Sequence, residues 1–327
     1  MAALPYDPQG GRAIGAHVDD LRIGWHTVPF PTDGADAETH VAQLEHMLAT
    51  IADSYDSVWF DDHLLPWADF VPTDAPALEC LTSIAYLAGR HTETAFGSLV
   101  LCQSFRNPAL VAKMAATLHA LTGGRFILGM GAGWMESEYR AYGYDFPRAA
   151  VRIAQLAEAV LVIRAAWSDG PVSFAGEHNA VDGVVCRPLP VPHPPIMLGG
   201  GGERLTLRVV AEHADWWNIT GTPETYRHKL DVLRGHCADV GRDIDEITLT
   251  YTAEVVAVAR TEAAAHEIAA ASPFTDVHPC VGTPEQVAEA LRPFVDLGVE
   301  HLMLRFVDFP STGGAELFAS EVVPLLR

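Results

Sequence analysis

The 327-residue chain is predicted to form a (β/α)8 barrel with an insertion after about the fourth strand, on three observations. Short apolar runs alternate with stretches of helical period about eight times. One long segment rich in Pro, Gly and β-formers interrupts that alternation. Polar, glycine and aromatic residues collect just after the apolar runs, at the strand ends where a parallel barrel builds its sites.

The elements follow in order. "LRIGW" (21–25) reads as a strand, "AETHVAQLEHMLATIADSYDS" as a helix and "VWF" as the next strand. "PALECLTSIAYLAGR" is helical, "TAFGSLVL" a strand, "NPALVAKMAATLHALTGG" a helix and "RFILGMG" a strand. Asn107 before Pro108 suits a helix start, and Gly123-Gly124 suits its end. Two helical stretches follow Gly133, then an excursion over about 170–194 that reads as a small β-ribbon. Alternation resumes with "PIML" and "ERLTLRVVAEH", then "ADWWNI" and "PETYRHKLDVLRGHCADVG", then "EITLTYTAEVVAV" with helices beyond it. "VEHLMLRF" is the last strand and "GAELFASEVVPLLR" a closing amphipathic helix. A doubly wound sheet would place a Gly-rich phosphate loop in the first unit, whereas "GMGAGW" lies in about the fourth.

A chain of this length with 49% apolar residues can bury a large core, and residues 1–327 are expected to form a single domain. A net charge of −21 argues against a nucleic-acid partner or an anionic membrane surface, since counterion release needs clustered Lys and Arg. The five cysteines (80, 102, 186, 237 and 280) are scattered without a Cys-x-x-Cys pair, as expected of thiols in a reducing compartment. The first twenty residues lack a basic segment followed by an apolar core, and no run is long enough to span a bilayer, so a cytoplasmic protein is expected.

The strand ends gather Trp25-His26, Asp61-Asp62-His63, Val100 to Ser104, Gly129 to Trp134, Gly199 to Glu203 and Trp216 to Asn218. Four glycines (Gly199, Gly200, Gly201, Gly202) before a helix start leave bare backbone and free amides. That suits an anion such as phosphate, with Arg204 or Arg208 as helpers, although a tight turn would also use glycine. Asp62, His63 and Trp67 follow a strand directly. A histidine can pass a proton there with a carboxylate to orient it, or an aspartate can simply cap the turn while His63 packs. Glu136 and Glu138 read as solvated carboxylates complementing a helix dipole. No zinc-type spacing and no nucleophile elbow occur. An aromatic mouth (Trp25, Trp134, Trp216, Trp217) beside an anion site suggests a phosphate-bearing cofactor and a small-molecule substrate.

Three segments, "SVWFDDHLLPW", "GSLVLCQSFRNPALVAKMAATLHALTGGRFILGMGAGWMESEYRAYGYDFP" and "PPIMLGGGGERLTLRVVAEHADWWNI", resemble the luciferase-like monooxygenase superfamily, and within it the branch of oxidoreductases dependent on the deazaflavin coenzyme F420. The resemblance runs from about Leu21 to the closing helix. It implies a TIM barrel with the cofactor ring in its mouth and the cofactor phosphate at Gly199 to Gly202. Asp62 and His63 resemble the family's Asp-His at the ring, with His63 near the reacting carbon. Leu99 and Val100 match a bulge with a non-prolyl cis peptide behind the ring, and Gly131 and Ser137 fall among the cofactor positions.

Trp67 resembles a tryptophan near the substrate in the sugar-phosphate dehydrogenase branch, with Trp25 and Trp134 as further lining. That branch has a proton-donating glutamate after Gly-x-Gly where this chain has Trp134, which argues against glucose 6-phosphate and for an apolar or planar substrate. The implied activity is hydride transfer between coenzyme F420 and an organic molecule. Local basic residues such as Arg106, or a solvent-exposed tail, would reconcile the anionic cofactor tail with the net charge of −21. The alternatives are an FMN-dependent monooxygenase served by a flavin reductase, and a non-catalytic flavin-binding protein. A homodimer is compatible with the resemblance.

Overall fold

The computed structural model describes residues 21–327. The sequence expectation for the amino-terminal twenty residues lies outside that range. Twelve strands are found among the described residues: β1 (Arg22–His26), β2 (Ser57–Phe60), β3 (Ala95–Ser98), β4 (Leu101–Cys102), β5 (Phe126–Gly131), β6 (Val172–Ala175), β7 (Ala180–Val184), β8 (Ile196–Gly199), β9 (Trp216–Ile219), β10 (Thr248–Val258), β11 (Cys280–Gly282) and β12 (His301–Phe306). Eight of them, in the order β1-β2-β3-β5-β8-β9-β10-β12, form the barrel wall, and β12 closes it against β1 in parallel, Arg22 facing His301 and Trp25 facing Leu304. Strands covered on both faces need continuous apolar runs, which is why β5, FILGMG, is buried at every position.

Helices fill the connections: α1 (Ala37–Ile51), α2 (Cys80–Ala88), α3 (Pro108–Thr122), α4 (Glu136–Ala141), α5 (Ala149–Ala166), α6 (Thr206–His213), α7 (Pro223–Val240), α8 (Glu262–Ala271) and α9 (Pro284–Asp296). At the carboxyl end, α10 (Gly313–Leu317) runs through a π-helical turn into α11 (Val323–Leu326). The Asn107 side chain accepts the Ala109 amide at the start of α3, and Gly123 ends that helix with φ of 63°, the left-handed conformation glycine adopts freely.

Several boundaries differ from the sequence expectation, the first being α1, which ends at Ile51 so that Ser57 opens β2. Helix α2 starts at Cys80 rather than Pro76, because Glu79 accepts the Thr82 amide at 2.7 Å and fixes the start there. Helix α6 starts at Thr206, after a turn over residues 203–205. "TAFGSLVL" is divided: β3 ends at Ser98, the Leu99–Val100 peptide is cis, and β4 resumes against β5.

The β6–β7 hairpin is inserted between the fourth and fifth barrel strands, and α5 docks it. Glu158 accepts the amides of Glu177, His178 and Asn179 at 2.7–2.8 Å, so one carboxylate satisfies a whole turn of backbone donors.

The lower barrel is filled by Trp59, Ile127, Met197, Trp216 and Met303. Above them Asn218 bridges Thr250 (2.8 Å) and Thr252 (3.1 Å), so the barrel is a packed core below its carboxyl-terminal mouth. Along β10 the register to β12 shifts between Ala253 and Val256, a bulge that leaves Glu254 as the last residue in step with the inward Thr250 and Thr252.

Candidate active site

A cavity of about 560 Å³ occupies the mouth. Its lining comes from the loops after β2 (Asp61, Asp62, His63, Trp67), β3 (Leu99, Val100, Cys102) and β5 (Gly131, Trp134, Glu138, Tyr139), with Glu254, Phe274 and Arg305 opposite.

His63 Nδ1 donates to Glu138 Oε2 at 3.0 Å, while Oε1 of the same carboxylate accepts the amides of Leu64 (2.7 Å) and Leu65 (3.0 Å). Glu138 is therefore buried and fully engaged, which corrects the expectation of a solvated helix-start glutamate; that description fits Glu136, exposed and paired with Arg140 one turn on. Burial alone pushes the His63 imidazole down. The Glu138 hydrogen bond and the charges of Asp61, Glu138 and Asp62 outweigh it and hold its pKa above the ordinary value. Trp67 and Trp134 flank the ring, with centroids 6.1 and 5.6 Å away. With Nδ1 committed to Glu138, Nε2 is the nitrogen left to serve a ligand.

Asp62 is tied to the neighbouring segment after β3. Arg106 grips it with two bonds of 2.7 Å, the Cys102 amide adds a third at 2.9 Å, and Arg106 also reaches Glu79. Arg106 thus braces the cavity wall and is not available for an anionic tail, contrary to the sequence expectation. Burial first, despite the Tyr139 contact at 3.0 Å, pushes the Cys102 thiol up and leaves it a weak nucleophile.

The opposite wall holds a second charged group. Asp61 Oδ1 accepts from His26 Nε2 at 2.8 Å, and Oδ2 accepts from Trp67 Nε1 (3.3 Å) and Arg305 Nη2 (3.2 Å). Burial alone would raise the Asp61 pKa, but His26, Arg305 and His63 bring it down to about 2. Arg305 Nη1 meets Glu254 Oε2 at 2.5 Å.

The glycine run lies beside the cavity, separated from it by Val100. A Cβ on Gly199 would sit 3.1 Å from Val100 Cγ1, Gly200 has φ of +129°, and a Cβ on Gly202 would sit 2.7 Å from Thr206 Oγ1. Three of the four glycines therefore have a packing or backbone reason, and Gly201 alone faces only ordinary contacts, with Ile219 and Lys229. Trp217 Nε1 donates to Gly200 O at 3.0 Å and holds the loop, while no side chain caps α6. Arg208 is paired with Glu212 and Arg204 is exposed; Lys229, beside Gly201, is bound to Glu203 at 2.6 Å.

Several expected residues are elsewhere. Trp25 is 1% exposed and packs against Phe309 on the helix side of β1, because its position on that strand points outward. Trp216 lies at the amino-terminal end of β9 in the barrel floor, and Trp217 on its outer face. None of these three lines the mouth. Ser137 stands exposed in the first turn of α4, outside the lining. Trp67 and Trp134 do line the cavity, Trp134 at its rim with 64% exposure. Sequence reasoning missed Glu254, Arg305 and the buried part of Glu138. The signal was present for the first two: each is the lone Asp, Glu, Lys or Arg of its barrel strand, near the end that opens into the mouth.

Parallel barrel, aromatic mouth and a histidine oriented by a buried carboxylate together define an α/β-barrel enzyme whose chemistry is done at the strand ends. The chain belongs to the luciferase-like monooxygenase family, whose model matches residues 22–279. An F420-dependent glucose-6-phosphate dehydrogenase from Kineococcus radiotolerans is 28% identical over 304 residues, covering 83% of this chain and 89% of that protein. An FMNH2-dependent dimethylsulfone monooxygenase from Pseudomonas putida is 28% identical over 261 residues, 68% of this chain and 71% of that protein. Among solved structures, an F420-dependent secondary alcohol dehydrogenase in complex with an F420-acetone adduct superposes with a TM-score of 0.79 over 94% of this chain and 99% of its own, at 20% identity, a likeness of fold.

Proposed function

We propose that the chain is an oxidoreductase that moves a hydride between coenzyme F420 and an organic, largely apolar or planar substrate, with His63 handling the proton. The observation that carries this reading is the His63–Glu138 pair, set between Trp67 and Trp134 on the wall of the cavity. When bound, the deazaflavin supplies the carbon that gives or takes the hydride. The residues present fit such a group. Leu99, Val100 and Gly131 offer an apolar back wall, and the amides of the uncapped turn before α6, with Gly201 and Lys229 beside it, suit a phosphate.

The chain's own part is positional and acid-base. Glu138 holds Nδ1 so that Nε2 faces the ligand in one tautomer, ready to give a proton to, or take one from, a substrate oxygen. Asp62, gripped by Arg106 and the Cys102 amide, keeps the loops after β2 and β3 in register. Trp67, Trp134 and Phe274 keep water from the reacting atoms.

The second reading, an FMN-dependent monooxygenase with a flavin reductase as partner, is favoured by the dimethylsulfone monooxygenase relative. Titration of cofactor-free protein with F420 and with FMN, followed by fluorescence, separates the two. Tight F420 and weak FMN binding is expected, and the reverse order would overturn the hydride-transfer reading. A cytoplasmic location and a homodimer belong to the same proposal; the first is supported by five buried cysteines, none in a disulfide.

A further inference from the structure

We infer that Glu254 acts as a built-in counter-anion that makes the mouth select an uncharged, ring-bearing carbonyl or alcohol and reject anionic substrates. The inference rests on the proposed substrate site and names its charge class.

Arg305 is the only Arg or Lys among the described residues that line the cavity, and five carboxylates (Asp61, Asp62, Asp69, Glu138, Glu254) line it with Arg305. A guanidinium there would ordinarily favour a phosphate or carboxylate. Here its charge is already met: Nη1 pairs with Glu254 and Nη2 with Asp61, and the residue is 4% exposed. A substrate anion would have to displace Glu254 or bear the repulsion of both carboxylates in a site of low dielectric.

One donor on Arg305 is left over: its Nε is a buried N–H without an acceptor, which an uncharged oxygen would satisfy without adding a charge to the site once a neighbouring side chain gives way. Its guanidinium carbon lies 5.0 and 5.2 Å from the ring centroids of Trp67 and Phe274, which are 5.7 Å from each other, so the aromatic pair covers one side of it. Asp61 is also needed by His26 and by Trp67 Nε1, whereas Glu254 touches Arg305 and, at 3.8 Å, His26. Glu254 is thus the residue whose removal frees the guanidinium with least disturbance.

The test uses full-length, cofactor-free protein and two probes of one shape, benzamide and benzoate, followed by tryptophan fluorescence. The unmodified protein should bind benzamide saturably and benzoate about tenfold or more weakly. In Glu254→Gln benzoate binding should strengthen about tenfold or more while benzamide changes little, and adding Arg305→Met should abolish that gain. Equal affinity of the unmodified protein for the two probes, or no binding of benzamide, would overturn the inference without any variant having to fold. So would a Glu254→Gln protein that keeps the original preference. Cofactor affinity does not enter this measurement, so its failure and that of the hydride-transfer reading are distinguishable.

Discussion

Replacing Glu138 with Gln removes one charge and almost no volume. The amide oxygen can keep the Leu64 and Leu65 amides, which places its NH2 against His63 Nδ1. His63 must then accept at Nδ1 and carry its proton on Nε2, the tautomer opposite to the one Glu138 selects. The imidazolium also loses a hydrogen bond to a charged partner, about 1.5–3 kcal/mol. At 1.36 kcal/mol per decade, kcat/KM should fall about 10- to 100-fold, with cofactor affinity unchanged and the imidazole pKa shifted down.

Steady-state kinetics across pH on the holoenzyme, with an NMR titration of the His63 ring, reads both effects. The same group has a thermodynamic signature. A histidine whose folded pKa is raised stabilises the fold below about pH 6.5, and that contribution is lost as pH rises through the folded value. Glu138→Gln should therefore lose stability relative to the parent in mild acid and converge with it in alkali. A variant with nearly full activity, an unmoved pH limb and parent-like acid stability would reduce Glu138 to a cap for the turn at residues 64–65, and the reasoning would fail.

His63→Ala should lower turnover at least about tenfold while leaving cofactor binding nearly intact, since general acid-base groups contribute at least that much; unimpaired turnover would remove His63 from the chemistry. Gly133→Ala places a methyl over Tyr139 Oη and 2.6 Å from Cys102 Sγ on a backbone with φ of +77°, and should cost about 2–4 kcal/mol in chemical denaturation. Asp61 has a depressed pKa, so its contribution is present above its unfolded value and is lost as pH falls towards 2. Asp61→Asn should flatten the acid limb of stability by about 2 kcal/mol or less, and an unchanged acid midpoint would contradict that.

The barrel was legible because its evidence recurs: short apolar runs such as FILGMG and LMLRF, of strand length, alternate with longer stretches of helical period, and six of the helices between them (α1, α2, α3, α7, α8 and α9) carry side-chain caps. The reading of single tryptophans failed for a reason of parity. Trp25 lies at a mouth-ward strand end, yet neighbouring strand positions face opposite sides of the wall, and one residue of register decides between cavity and helix layer. Trp216 and Trp217 failed for a second reason, since β9 starts with them and its mouth lies beyond Ile219. Glu138 escaped because its partner stands 75 positions earlier. A buried carboxylate and a dipole-complementing one look alike until the chain is folded.

The bulge in β10 gives the barrel a place where variation is cheap. Below Ala253 the strand is locked by its neighbours on both sides, and above Val256 it pairs with β11 in a separate register. Gaining or losing one residue between those points would turn a different side chain towards Arg305 while every stave beneath stayed in place. A change of substrate preference could then arise from a single codon insertion or deletion, a route that an unbroken strand would forbid because the same event would invert its whole inner face.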